Sequence, residues 1–361
     1  MNTKHRFNRR DFLKGGAIGA GIFASNMLPF ALSRAAAQDR PIRGAMSNAG
    51  LQASWCAQGA DAARRYGELL GVEVVWFDGE LNPAAQRSKF DQIASTPDEW
   101  DFVAVQANQI EALVEPLQIL IDAGVPVIGM DTLLASFEKQ REMGVLSFIA
   151  PDNVFMAASV MNVAIARMGG AGKIARLGGQ AGHTGAQARG QGFLNAVAQF
   201  PNIEVVDNQL ADWDINVAAQ ITESILNRTP DLNAIFADND DMALAARQAI
   251  ENFGPDHEIL VVGIDAMPFA LEAVADGRLS ATVRNPSSRI HSWAVIAGAY
   301  AATVGLEQAR EEIPFFILAD GPAVTGEIDN NPDFAAEPWK LVNYGMSSIH
   351  GQLWLEEQFL F

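Results

Sequence analysis

Short apolar runs alternate along this chain with longer amphipathic stretches, and that rhythm predicts its architecture. Residues 42–46 and 72–77 read as strands, and between them residues 55–70 set Ala60, Ala63 and Leu70 on one side of a helix. Helix 83–95, strand 102–105, helix 110–123 and strand 125–130 continue the series. It restarts after a short link at 148–153. Helices are then expected over 154–168, 186–199, 215–227, 242–253 and 268–276, with strands over 173–177, 203–206, 234–237, 259–264 and 279–283.

Strand–helix–strand repeats of this length build parallel sheets covered by helices. The expected fold class is therefore α/β, with two doubly wound parallel-sheet lobes. No low-complexity linker separates the two series, which implies several short crossings rather than a single tether. Residues 313–318 are expected to return as a strand and cross a third time. This assigns 40–150 and about 286–316 to one lobe, 151–285 and about 317–330 to the other, and leaves 331–361 as a C-terminal extension. That extension carries Trp339, Trp354, Phe359 and Phe361, and its pattern indicates no function.

Polar residues recur where the predicted strands end: Ser47, Gln106, Asp131, Asn239 and Asp265. Ligands of open α/β sheets bind beyond the carboxyl ends of the strands. Helix N-caps select the same residue types, so the pattern alone leaves both roles open for each.

Composition narrows the class. Of 361 residues, 49% are hydrophobic and 19% charged, which is globular. The first 37 residues stand apart: Arg9-Arg10-Asp11-Phe12-Leu13-Lys14 is a twin-arginine signature, a Gly/Ala-rich stretch follows, and Ala35 and Ala37 suit a signal peptidase. The stretch is too short and too broken by Pro29 and glycines for a membrane span, so cleavage before Gln38 and export are expected. The leader holds six of the 25 Lys/Arg and one of the 43 acids. The mature chain is left with 19 bases against 42 acids, a net charge of −23. That surface repels nucleic acid and anionic lipid. Neither is an expected partner, nor is membrane insertion after cleavage. Cys56 is the sole cysteine, so no internal disulfide forms.

Several segments then fall into a known order: 150–154 (APDNV), 185–193 (GAQARGQGF), 211–214 (ADWD), 235–244 (IFADNDDMAL), 261–265 (VVGID) and 281–283 (ATV). Over about 42–300 the chain resembles the ribose-binding type of periplasmic sugar-binding proteins, whose fold is shared with the ligand domain of lactose-repressor-type regulators. A leader stands where such a regulator would carry a helix-turn-helix. The resemblance implies a type I periplasmic binding fold with a three-segment hinge. It also implies a small polyhydroxylated ligand (sugar, cyclitol or polyol), an ABC importer permease as partner, a monomer, and no cofactor or metal. Carried over by position, it implies ligand contacts at Ser47, Gln106, Asp131, Arg189, Trp213, Asn239, Asp265 and Asn285, with Asp131 and Arg189 facing each other across the cleft. Carboxylates and amides suit vicinal hydroxyls, and a Trp face suits the C–H side of a sugar.

The loop 48–55 (NAGLQASW) departs from the family, lacking its Asn-Pro and paired aromatics. Gln52 lies near the expected aromatic and joins the candidate contacts. Pro151 and Gln180 also differ, and an open-chain polyol is an alternative to ribose. Two other roles fit the same residues, a chemoreceptor adaptor for the same ligand class and an exported enzyme. Against the enzyme stands the absence of cofactor motifs. The segment 169–173 (GGAGK) fails as a phosphate loop because Ile174 replaces the required Ser or Thr, and a calcium loop at 212–223 fails at Val217, where a glycine is needed.

Overall fold

In the computed structural model, which describes residues 40–319 and 323–325, two six-stranded sheets face each other. The first contains β1 (Ile42–Ser47), β2 (Val72–Trp76), β3 (Phe102–Val105), β4 (Val127–Met130) and β5 (Ser147–Ala150), and it is completed by β11 (Phe316–Leu318). Its order is β11-β5-β4-β3-β1-β2, parallel throughout. The second contains β6 (Ala171–Gly178), β7 (Asn202–Leu210), β8 (Ala234–Ala237), β9 (Leu260–Val262), β10 (Ala281–Val283) and β12 (Ala323–Thr325). It runs β12-β10-β9-β8-β6-β7, with only β12 antiparallel. This is the doubly wound type I periplasmic binding fold.

Helices α1 (Ser54–Leu70), α2 (Pro83–Ser95), α3 (Val114–Asp122) and α4 (Phe137–Met143) belong to the first lobe. Helices α5 (Asn153–Arg167), α6 (Thr184–Val197), α7 (Ile215–Arg228), α8 (Asp240–Phe253) and α9 (Pro268–Ala275) belong to the second. The chain then returns: α10 (Ser287–Val304) packs on α1 and across the first sheet, and α11 (Leu306–Glu312) leads into β11. The chain therefore crosses after β5, before α10 and between β11 and β12.

The inner strands β3, β4, β5, β8, β9 and β10 are buried throughout and rich in Val, Ile, Phe and Ala, as parallel strands covered on both faces must be, whereas the edge strands β2 and β7 are only partly buried. Between β1 and α10 the ring of Phe102 lies so close that a Cβ on Gly44 or Gly298 would overlap it. Glycine is required at both for close approach. Trp293 of α10 is fully buried, which makes this late helix a keystone of the first lobe.

The elements differ from expectation at several points, and α4, α10, α11 and β12 have no counterpart in the expected series. The expected helix 110–123 starts only at Val114, because Glu111 takes a left-handed φ of 66° and donates its N–H to the Leu134 carbonyl. The expected link at 148–153 begins inside β5, a four-residue strand too short to show a period. The leader and the 331–361 extension lie outside the described residues.

Candidate functional site

The carboxyl ends of the two sheets open onto one cavity of about 350 Å³, counting its mouth. From the first lobe, Gln106 follows β3 and Asp131 follows β4. Gln106 Nε2 donates to Asp131 Oδ2 at 2.7 Å, while its Oε1 accepts the Ala49 N–H at 2.9 Å. Both ends of the amide are thus fixed. Asp131 sits at a left-handed φ of 57° and is 6% exposed, yet its Oδ1 has no partner. Burial pushes this carboxyl above its usual range, against the pull of Arg189, Gln106 and Asn285.

The second lobe supplies the cation. Arg189, on the first half of α6, donates Nε to Asn153 Oδ1 at 2.8 Å, Nη1 to the Asp238 carbonyl, and Nη2 to Asp265 Oδ1 at 3.3 Å. Its guanidinium carbon lies 5.6 Å from the centre of the Trp213 ring. Asp265 also accepts from Asn285 Nδ2 at 3.3 Å, and burial raises it to about 7 despite Arg189. A second buried pair supports the first: Arg176 Nε and Nη2 reach the Asp238 carboxylate at 2.9 and 2.5 Å. Asn239 caps α8 by accepting the Met242 N–H at 2.9 Å, and it lines the cavity as well, so cap and contact coincide there.

Trp213 takes φ 62°, next to Asp212 at 54°, and its Nε1 is buried without a partner. Its ring lies against Gly179, where any Cβ would collide with it. His183 meets that ring edge-on, with centroids 5.2 Å apart, and caps α6 by accepting the Ala186 N–H at Nδ1. Burial first, and the Arg189 charge second, hold His183 down to about 3, so it is neutral at ordinary pH.

Seven of the sequence-predicted residues meet at this cavity: Gln106, Asp131, Arg189, Trp213, Asn239, Asp265 and Asn285. Ser47 and Gln52 are not brought to it. Ser47 is fully buried and its hydroxyl is taken by Gln86 Nε2 at 3.1 Å, while Gln52 is exposed. Strand-end position fixes where a side chain starts, and the neighbouring Gln86 fixes where Ser47 is used. The sequence reading missed His183, Ala49, Ala53, Cys56 and Leu81, and it gave Trp55 no site role. Apolar wall residues leave no chemical signal in sequence. His183 could have been found as the N-cap preceding α6.

Direct hydrogen bonds join the two lobes over this cavity. Ser54 Oγ donates to Asp241 Oδ2 at 2.7 Å, Gln180 Nε2 to the Leu81 carbonyl at 2.8 Å, and the Leu133 N–H to Thr184 Oγ1 at 2.8 Å. The Ile110 N–H reaches the Gly182 carbonyl at 3.2 Å. This is a closed cleft. Chemically it is equipped to hold hydroxyls: carboxylates, amides and a guanidinium converge, whereas burial raises the Cys56 thiol and keeps it protonated.

The sequence matches the periplasmic binding protein domain over residues 44–306. It is 32% identical over 224 residues to the ribose import binding protein RbsB of Escherichia coli, covering 62% of this chain and 72% of that protein. The xylitol-binding protein of Mycolicibacterium smegmatis is 26% identical over 286 residues, covering 79% and 76%. An ABC transporter periplasmic solute binding protein from Actinobacillus succinogenes, solved with bound D-allose, superposes with a TM-score of 0.72 at 25% identity. The match covers 80% of this chain and 99% of that one.

Proposed function

Since this chain belongs to the periplasmic binding protein domain family, we propose that it captures a small sugar or polyol between its lobes and delivers it to an ABC-type membrane importer. The observation that carries this reading is the pair Asp131 and Arg189–Asp265, presented from opposite lobes to one cavity. Buried polar atoms without partners are rare. Here Asp131 Oδ1, Asn285 Oδ1 and Trp213 Nε1 all lack one, and all three residues line the same cavity. Two acceptors and a donor are what a ligand with adjacent hydroxyls would satisfy. Its C–H face would rest on Trp213.

The lobes hinge at the three crossings, and ligand favours closure because Asp131 and Arg189 touch it together only when the lobes meet. Location in the periplasm goes with the family. Export by the twin-arginine route rests on Arg9-Arg10 and the residues after them. The relatives named above are all binding proteins, and binding rather than catalysis is the role assigned here.

The test is a thermal-shift screen of the exported protein, unfolded and refolded to strip any carried ligand, against sugars, cyclitols and polyols. A true ligand at 1,000 times its dissociation constant stabilises the native state by ~4 kcal/mol. The shift should vanish in Asp131→Ala and Arg189→Ala. If no polyhydroxylated compound shifts a well-folded sample, the assignment is wrong.

A further inference from the structure

The cavity has two chemically unlike walls. One is the charged and amide-rich wall described above. The other is built by Ala49, Ala53, Trp55, Cys56 and Leu81, and the backbone groups of Ala49, Ala53 and Leu81 and the Trp55 indole already have partners. The Ala49 N–H is held by Gln106, and the Ala49 carbonyl accepts from Leu81 N–H at 2.7 Å and Asn108 Nδ2 at 3.0 Å. The Ala53 N–H donates to the Gly50 carbonyl at 3.1 Å, and the Ala53 carbonyl accepts from Ala57 at 3.0 Å. The Cys56 carbonyl accepts Asn48 Nδ2 at 2.7 Å, and its thiol lies 3.6 Å from Gln106 Oε1. The Leu81 carbonyl is taken across the cleft by Gln180, and Trp55 spends its indole N–H on the Asn285 carbonyl at 3.0 Å. A ligand hydroxyl set against this wall would leave water and find little to bond.

Leu81 adds an independent observation. Its φ is 51°, a left-handed conformation that Asn or Gly adopts readily and Leu does not. An apolar side chain is kept there against backbone preference, as happens where a ligand is clamped. Ala49 and Ala53 have the smallest side chains lining the cavity, and with Trp55, Cys56 and Leu81 they make an apolar niche in its wall.

We infer that the ligand is amphipathic: hydroxylated along the edge facing Asp131 and Asp265, and ended by a methyl group that seats against Ala49, Ala53, Cys56 and Leu81. This names a deoxy sugar or deoxy polyol, and it rests on the sugar-or-polyol reading above. Calorimetry on the refolded protein should use matched pairs, 6-deoxyhexoses such as L-fucose against their parent hexoses, and 1-deoxypentitols against pentitols. The best ligand should be a deoxy member that binds at least tenfold tighter than its parent. Leu81→Asn relieves the backbone at residue 81, should fold, and should bring that ratio to about one. Parents that bind as well as or better than their deoxy partners overturn the niche while leaving sugar capture intact. An undiminished deoxy preference in Leu81→Asn also overturns it, since the niche is then elsewhere. Silence from both members of every pair also overturns the niche, and the wider panel of sugars, cyclitols and polyols then decides whether sugar or polyol capture stands.

Discussion

The two lobes reach the same cleft by opposite means. The second arrives with two buried arginines already matched: Arg176 with Asp238, and Arg189 with Asp265, Asn153 and a backbone carbonyl. The first arrives with an unmet need, because Asp131 is held by Gln106 through one oxygen only. A buried cation with several partners is rigid and costly to remove, and a buried carboxylate with a spare lone pair is costly to keep. The second lobe is thus a template with its arginines matched, leaving Asn285 Oδ1 and Trp213 Nε1 to the ligand, and the first lobe leaves it a carboxylate oxygen.

The largest effect expected from this contrast is in the template. Arg189→Ala strands Asp265 and Asn153 in a dry site, and should cost about 3–5 kcal/mol of stability along with all binding, read by urea unfolding and calorimetry. The counterpart is Asp131→Asn. It should leave ligand-free stability unchanged or slightly higher, while affinity drops by roughly 10–100-fold for loss of a charged hydrogen bond. If Asp131→Asn melts several degrees lower without ligand, the first lobe is as preorganised as the second and the contrast fails.

A pH titration sharpens the template side. The folded state holds His183 neutral down to about 3, whereas the unfolded chain takes up a proton near the ordinary value of 6.5. Stability from this group is therefore complete above 6.5 and drains away as pH falls through the interval below it. His183→Asn keeps an acceptor at the N-cap and should flatten that acid slope by about 1.4 kcal/mol per pH unit, measured as unfolding free energy between pH 6.5 and 4.5. An unchanged slope would mean that the ring is solvated in solution. The smallest effect belongs to the rim. Ser54→Ala removes one bond between the lobes and should cost about 0.5–1.5 kcal/mol of closure, seen by small-angle scattering as a more open ligand-free protein and as a few-fold weaker ligand.

Sequence carried the fold well because parallel strands buried on both faces read as plain apolar runs, such as 234–237 and 102–105. It failed at β5, where four residues cannot display a period, and at Glu111, where a single left-handed residue cuts a helix short. In the site, Asp131 and Asp265 were marked by their strand-end positions, with a cap role left open, whereas Arg189 lies on a helix and came only with the family resemblance. Ser47 misled because a hydroxyl is easily used by a neighbour, here Gln86. Leu81 and the alanines were invisible: their contribution is shape and the absence of bonding capacity, and neither has a residue type of its own.

The placement of α10 has a consequence for how the molecule comes into being. Trp293, Ile290 and Ala294 fill the centre of the first lobe, yet they are encoded after the whole of β6–β10. On the ribosome the strands of the first lobe emerge early and wait with one face uncovered, while the second lobe can assemble most of its core from continuous chain. The half made first therefore waits for a helix encoded after all five parallel strands of the other.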